Sequence, residues 1–279
     1  MKISRLLVVS LLLLQTSYLL AQEEDVLRPH GKKNSGSSGT SSGSSAPIFK
    51  TLTIGAEAGL DYGMFSQNLT GFPQEYNTIL KSGSGVGFYL SLFADENLTD
   101  DFGLQVRLSL NQKSYGNKGP AISTCDNGSV IVPMDINYEW SESTLFATGS
   151  VYLRANVSNN FMVLVGPTVH SAASIKTTAI SSIVQPGECF YNLNTPQQSK
   201  TQTVEEDNTT SANSNVWSLD FSLAYKITMA PKMSLVPRLG FHYMLSPYVA
   251  DGIDTTTNRS ATDRLINSIQ AGLGLWITI

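Results

Sequence analysis

The feature that most restricts what this chain can fold into is an alternation with a period of two. Between Val216 and Thr228, the residues Trp217, Leu219, Phe221, Leu223, Tyr225 and Ile227 fall on one side of an extended backbone. Ser218, Asp220, Ser222, Ala224, Lys226 and Thr228 fall on the other. Successive side chains of a strand point to opposite faces, so this segment is a ribbon with one apolar and one polar side. The same pattern predicts strands over Thr51–Phe65, Gly85–Asn97, Phe102–Tyr115, Ser143–Val157, Phe161–Thr177, Met233–Ser246 and Arg264–Ile279, and helical periodicity is nearly absent. Ser129–Trp140, with Val130, Ile131 and Val132 together, reads either as two additional strands or as an upward extension of its neighbours.

The connections between these eight strands alternate in length. Leu98–Asp101, Ser158–Asn160 and Met229–Lys232 are short, whereas Ser66–Ser84, Gly116–Glu142, Thr178–Ser214 and Pro247–Asp263 are long. Tight turns and both termini at one end, with long loops at the other, describe an all-β, transmembrane, up-and-down antiparallel β-barrel of eight strands. Its long loops are expected to be extracellular and its turns periplasmic. A soluble sandwich has no physical reason to segregate its loops in this way.

Alternation alone does not say which face points outward, and a secreted lipocalin-like barrel would be apolar inside. The polar faces here carry Gly55, Gly59, Gly240, Gly272 and Gly274, as a crowded interior requires, and hold few Lys and Glu for a wetted wall. The apolar faces run unbroken through Leu52, Ile54, Ala56, Ala58, Leu60 and Tyr62, and through Ile269, Ala271, Leu273, Leu275, Ile277 and Ile279. A polar interior and a lipid-facing exterior are therefore expected. The lumen then receives a polar network of Glu57, Asp61, Arg107, Arg154, Asp220, Lys226, Arg238 and His242, with Gln105 and Gln270. Eight strands enclose just enough space for side chains to fill, and buried ions are tolerable there only when paired. Three acids against four bases suit a plugged interior.

The N-terminus sets the compartment. Two charges at Lys2 and Arg5, an apolar run from Leu6 to Leu20 and Ala21 before Gln22-Glu23-Glu24 make a secretory signal peptide over residues 1–21. Residues 22–48 are Gly/Ser-rich and read as a disordered tether, leaving residues 49–279 for the barrel. Without Lys2 and Arg5, 16 basic side chains face 22 acidic ones with no basic cluster, so nucleic acid is excluded as a partner. Charged residues make up 14% of the chain, against about 25% in soluble domains, while no mature segment reaches a helical membrane span.

On these residues the chain resembles the small outer-membrane β-barrel domain family common in the Bacteroidota, the PorT-like group, which shares its architecture with the OmpX and OmpA barrels. The resemblance is carried by the signal peptide, the tight-turn pair running from Leu153 through Asn160 to Pro167, and the closing strand Gln270-Ala271-Gly272-Leu273-Gly274-Leu275-Trp276-Ile277. In that strand Gln270, Gly272, Leu275 and Ile277 fit the pattern of an insertion signal read by the barrel-assembly machinery. The chain departs from the commonest form by ending on Ile279 rather than an aromatic. The resemblance implies a bacterial outer-membrane location, outer-membrane lipid as surroundings, and a structural, adhesive or secretion-accessory role.

Catalytic groups are scarce. His30 is in the tether, and the positions two residues beyond His170 and His242 are Ala172 and Met244, where lipid A deacylases carry serine. Ser246 lies roughly 13 Å along the strand from His242, beyond hydrogen-bond reach of about 3 Å. Glu205-Glu206-Asp207 lack the spaced ligands of a calcium loop and read as a solvated loop. The aromatic residues Tyr62, Phe65, Trp140, Phe161, Trp217, Tyr243 and Tyr248 near strand ends suit interfacial girdles. No enzyme activity, cofactor or metal is expected. The expected function is a non-enzymatic barrel presenting its loops to an extracellular or secretion-system partner. A narrow solute channel is the second reading, and a barrel-embedded hydrolase the third. Cys125 and Cys189 fall in the second and third long loops, on the same side of the barrel, and are expected to form a disulfide in an oxidising compartment.

Overall fold

The computed structural model describes residues 52–126, 130–185, 189–191, 199–249, 252–254 and 259–279. The predicted signal peptide and tether lie outside the described residues. The elements are β1 (Leu52–Thr70), α1 (Gln74–Leu80), β2 (Ser82–Asn97), β3 (Phe102–Asp126), β4 (Ile131–Asn156), β5 (Phe161–Gln185), β6 (Thr201–Asp207), β7 (Val216–Tyr225), β8 (Ile227–Ala230), β9 (Met233–Met244), β10 (Gly252–Asp254) and β11 (Arg259–Thr278). Antiparallel pairing runs β1-β2-β3-β4-β5-β7-β9 and closes through β9–β11 and β11–β1, a ring of eight strands. All eight predicted strands are present, and the three short connections are tight turns.

The interior is the polar side. On β2, Leu92 is 64% exposed while its neighbours Ser91 and Phe93 are 1% and 5% exposed, which puts the leucine on the outer wall. The same outward set includes Leu60, Phe88, Leu108, Leu219, Phe221, Leu239 and Leu273, forming a continuous apolar belt. β7 is 10 residues long and β9 12, close to the 9–11 residues with which a tilted strand crosses a bilayer.

β3, β4 and β5, at 25, 26 and 25 residues, are more than twice that length. β3 and β4 stay paired from Phe102↔Ala155 to Asp126↔Ile131. The predicted loop Gly116–Glu142 is therefore a tall hairpin, and Ser129–Trp140 is its upward extension. Its residues were hard to place because the phase of the alternation reverses. Within the belt the outward positions of β4 are Leu145, Ala147, Val151 and Leu153. Beyond it they are Ser141, Glu139, Asn137 and Asp135, with Trp140, Ile136 and Met134 turned inward and buried. Where lipid gives way to water, the apolar side chains change face.

These inward groups form a second core above the belt. Phe65, Ile79, Tyr115, Trp140, Phe146, Ile175, Val216, Tyr248 and Ile266 pack together, with the Phe65 and Tyr115 rings stacked 4.8 Å apart. The short helix α1 closes over it: Ile79 is buried, and the Trp140 indole N–H donates to the Ile79 carbonyl at 2.9 Å. At the tight-turn end a smaller cluster of Phe93, Tyr152, Met162, Leu164, Val236 and Trp276 fills the bore. The interior is thus polar through its middle and apolar toward both ends, with buried charges among the apolar groups at the Asp95–Arg154 pair beside Met162 and at Glu142 in the outer core. This corrects the wholly polar lumen that the alternation predicts.

Candidate functional site

Charged and polar side chains from every ring strand converge between the two apolar clusters. Glu57 on β1 is the hub. Its carboxylate accepts from Arg107 on β3 at 2.9 Å, from Arg238 on β9 at 2.7 Å and from the Tyr89 hydroxyl on β2 at 2.6 Å. Arg107 also donates to Ser91 and Gln105, and Gln105 donates to Asp95, which pairs with Arg154 at 3.0 Å. In the other direction Arg238 donates to Ser222 and Gln270. Gln270 donates to Asp61, and Asp61 pairs with Lys113 at 2.8 Å. The result is one continuous hydrogen-bonded path from Arg154 near the tight turns to Lys113 and Ser268.

Glycine makes room for the hub. Gly59 and Gly272 are register partners on β1 and β11. A Cβ on Gly272 would strike the Tyr89 hydroxyl, and one on Gly59 would lie 2.7 Å from the Tyr89 ring. The small residues on the inward faces are what let this phenol lie across the bore to Glu57.

A second knot surrounds Asp220. Its carboxylate accepts from the Tyr152 hydroxyl at 2.8 Å, from Thr168, and from Ser218 at 2.8 Å, and His242 Nδ1 lies 2.8 Å away. His170 Nε2 is 2.8 Å from the Ser218 hydroxyl. A nucleophile–histidine–acid triad needs the histidine's second nitrogen held by the acid. Here His170 Nδ1 has no hydrogen-bond partner among the described residues, the acid holds the serine instead, and Ser218 is 1% exposed. The arrangement orders hydrogen bonds in the bore. Sequence reasoning did not bring His170 and Ser218 together because they are 48 residues apart. The register Thr168↔Ser218 between β5 and β7 makes them diagonal neighbours.

Of the predicted lumen residues, Glu57, Asp61, Gln105, Arg107, Arg154, Asp220, Arg238, His242 and Gln270 are buried in the bore. Lys226 is not. It lies at the break between β7 and β8, half-buried at the tight-turn rim, where the chain leaves the regular ladder. Asp95 and Lys113 complete two of the ion pairs and were missed. Both follow from parity, since Asp95 shares a face with Ser91, and Lys113 with Arg107. On the closing strand, Leu275 and Ile277 face outward while Gln270 is buried. Among the described residues no group of three His, Cys, Asp or Glu is arranged to hold a metal.

Above the belt, Glu142 accepts from the Tyr115 and Tyr248 hydroxyls, and from Thr177 at 3.2 Å. Burial pushes both phenols well above their usual value, and the adjacent carboxylate acts in the same direction. Cys125 and Cys189 form the expected disulfide, with Cα atoms 6.0 Å apart. Both are buried in the outer core, so the bridge pins β3 to the connection after β5. Glu205, Glu206 and Asp207 belong to β6, which extends β5 outward, and not to a loop.

A closed eight-stranded ring with a lipid-facing belt and a filled polar bore defines a membrane-spanning β-barrel. The chain belongs to the outer membrane protein beta-barrel domain family, which matches residues 34–277, and that membership puts it in the bacterial outer membrane. No curated relative matches it. Among solved structures it is similar to Ail, the attachment invasion locus protein of Yersinia pestis, at 8% identity over 81% of this chain and 98% of that one, with a TM-score of 0.31. It is also similar to Neisserial surface protein A, at 12% identity over 81% and 96%, TM-score 0.33. The outer membrane protein OprG from Pseudomonas aeruginosa matches at 11% identity over 83% and 97%, TM-score 0.37. Likenesses this distant carry no argument about role.

Proposed function

We propose that this chain is a non-enzymatic, non-conducting outer-membrane barrel whose work is done by the wall it raises outside the cell. It is exported by a signal peptide cleaved after Ala21 and inserted through the closing-strand signal around Gln270–Ile277. The termini and tight turns are periplasmic, and the outer halves of β3, β4 and β5 with β6 are extracellular. The observation that carries this reading is the contrast between the two ends of the molecule. Ion pairs and two apolar clusters fill the bore, whereas three strands continue for about 14 residues, roughly 45 Å along the strand at about 3.3 Å per residue, beyond what a bilayer needs. A fold that invests in a fixed, disulfide-pinned platform and fills its channel is built for contact. The PorT-like, secretion-accessory role implied by the sequence resemblance is one form such contact takes.

Two measurements test it together. Purified protein in planar bilayers should give no steady conductance, and a cysteine placed at Ile122, on the exposed upper hairpin, should react with an impermeant thiol reagent on intact cells. Stable single-channel steps would favour the channel reading. Labelling of Ile122→Cys only after the outer membrane is broken would reverse the proposed orientation.

A further inference from the structure

β6 is an open edge. It pairs with β5 from Lys176↔Asp207 to Ser182↔Thr201, all seven of its residues are exposed, and among the described residues no strand lies on its other side. The hydrogen bonds flanking it fix which backbone groups are free. Asn208 N–H donates to the Ile175 carbonyl at 2.9 Å, and Ile183 N–H donates to the Lys200 carbonyl at 2.8 Å. Even-numbered residues therefore turn their backbone groups toward β5, and Thr201, Thr203, Glu205 and Asp207 turn theirs outward. Thr201 confirms the parity, because its N–H and carbonyl are both occupied by the Ser199 hydroxyl. Unpaired strand edges are templates for another strand.

The sequence of this edge is complementary to itself. In an antiparallel register centred on Val204, outward-facing residues meet outward-facing residues, as hydrogen bonding requires. Thr203 lies opposite Glu205 of the second copy, Thr201 opposite Asp207, and Gln202 opposite Glu206. Each acid faces a hydroxyl or amide donor, and the backbone pairing is carried by Thr203 and Glu205, because the Thr201 groups are held by Ser199. Moving two residues toward the acidic end would set Glu205 against its own copy, a like-charge pair that destabilises a ladder.

Symmetry then fixes where the second copy stands. β5 continues upward from the membrane, so β6 has a component along the membrane normal. Copies in one membrane are related by an axis along that normal, which keeps this component's sign and cannot make the strands antiparallel. Copies in two facing membranes are related by an axis in the plane between them, which reverses it. We propose that β6 is a homophilic contact strand, pairing antiparallel with β6 of a second copy on an opposed outer membrane. The proposal takes as its starting point the surface-exposed platform proposed above. Each contact offers only a few backbone hydrogen bonds, and many copies acting in parallel would supply the strength.

The test uses full-length protein in lipid vesicles with its outer wall facing out, tagged copies in one population and untagged in another. Val204→Cys lies on the two-fold, where opposed Cα atoms of a non-hydrogen-bonded pair are about 4.5 Å apart, within disulfide range. On mixing, the vesicles should cluster, and tagged should link to untagged through Val204→Cys but not through Ile122→Cys. Thr203→Pro removes an outward N–H without touching the β5 ladder, and Thr203→Glu sets acid against Glu205. Both should abolish clustering while the unboiled gel band reports an intact barrel. Equal linking at Ile122 and Val204, no linking at Val204, or clustering that survives both Thr203 variants would overturn the proposal. Such a failure in protein that remains surface-exposed and non-conducting leaves the function proposed above in place.

Discussion

Lys113 and Asp61 are the simplest ion pair in the bore, and removing one partner tests the energetics of the whole lumen. Lys113 Nζ lies 2.8 Å from Asp61 Oδ2 and donates to Ser268 at 2.6 Å, and both charged side chains are essentially inaccessible to water. Lys113→Met leaves Asp61 with neutral donors only, from Gln270 at 2.8 Å and Ser268 at 3.2 Å. Breaking a buried pair by removing one member costs about 3–5 kcal/mol, whereas replacing both members costs far less. With a urea dependence of about 2 kcal/mol per molar, Lys113→Met and Asp61→Asn should each lower the unfolding midpoint by about 2 M. The double variant should recover most of that loss. The assay is urea unfolding in detergent micelles, read by the gel shift between folded and unfolded barrel. Single variants that unfold at the wild-type midpoint, or a double variant that loses the sum of the two, would refute the reasoning.

Other consequences follow from the same geometry. Cys125→Ser should loosen the outer wall by up to about 4 kcal/mol for a closed loop of this length, so proteases should clip the upper hairpin while the gel shift persists. Gly272→Val should clash with the Tyr89 hydroxyl and displace it from Glu57, giving a barrel that unfolds at lower urea. Phenol ionisation is suppressed in the folded outer core at Tyr115 and Tyr248. Their contribution to stability is therefore complete below the free phenol value of about 10 and declines as pH rises above it. Spectroscopic titration should show phenolates that appear only on unfolding, two fewer of them in Tyr115→Phe/Tyr248→Phe than in the wild type.

The membrane-spanning half of this fold is legible in the sequence because one physical rule governs it: lipid outside and a mostly polar packed bore inside leave an alternation readable on the eight strands, blurred only where Phe93, Met162, Leu164, Val236 and Trp276 turn inward at the tight-turn end. Parity alone places Glu57, Asp61, Arg107, Arg154, Asp220, Arg238 and His242 in the bore. The outer half is written in the opposite phase. Met134, Ile136 and Trp140 face inward because water now lies outside, so the same hairpin reads as a loop when one polarity is assumed throughout. The pairing pattern is a different matter. That Glu57 serves two arginines, or that Ser218 meets His170, depends on inter-strand register and tilt, which no local pattern encodes. The disulfide was accessible because topology leaves both cysteines on one side of the barrel, while its burial in a packed core was not.

The inside-out assignment of the barrel is tested most directly by spin-label accessibility along β7. Single cysteines at Trp217, Ser218, Leu219, Phe221, Ser222 and Leu223, labelled in protein reconstituted into bilayers, should show a period of two. Labels at 217, 219, 221 and 223 should collide with dissolved oxygen as lipid-facing sites do. Labels at 218 and 222, inside the filled bore, should be shielded from oxygen and from a water-soluble relaxation agent alike. Odd-numbered positions that relax with the water-soluble agent instead would mean that the apolar belt does not face lipid, and the account of the chain as a filled outer-membrane barrel would be wrong.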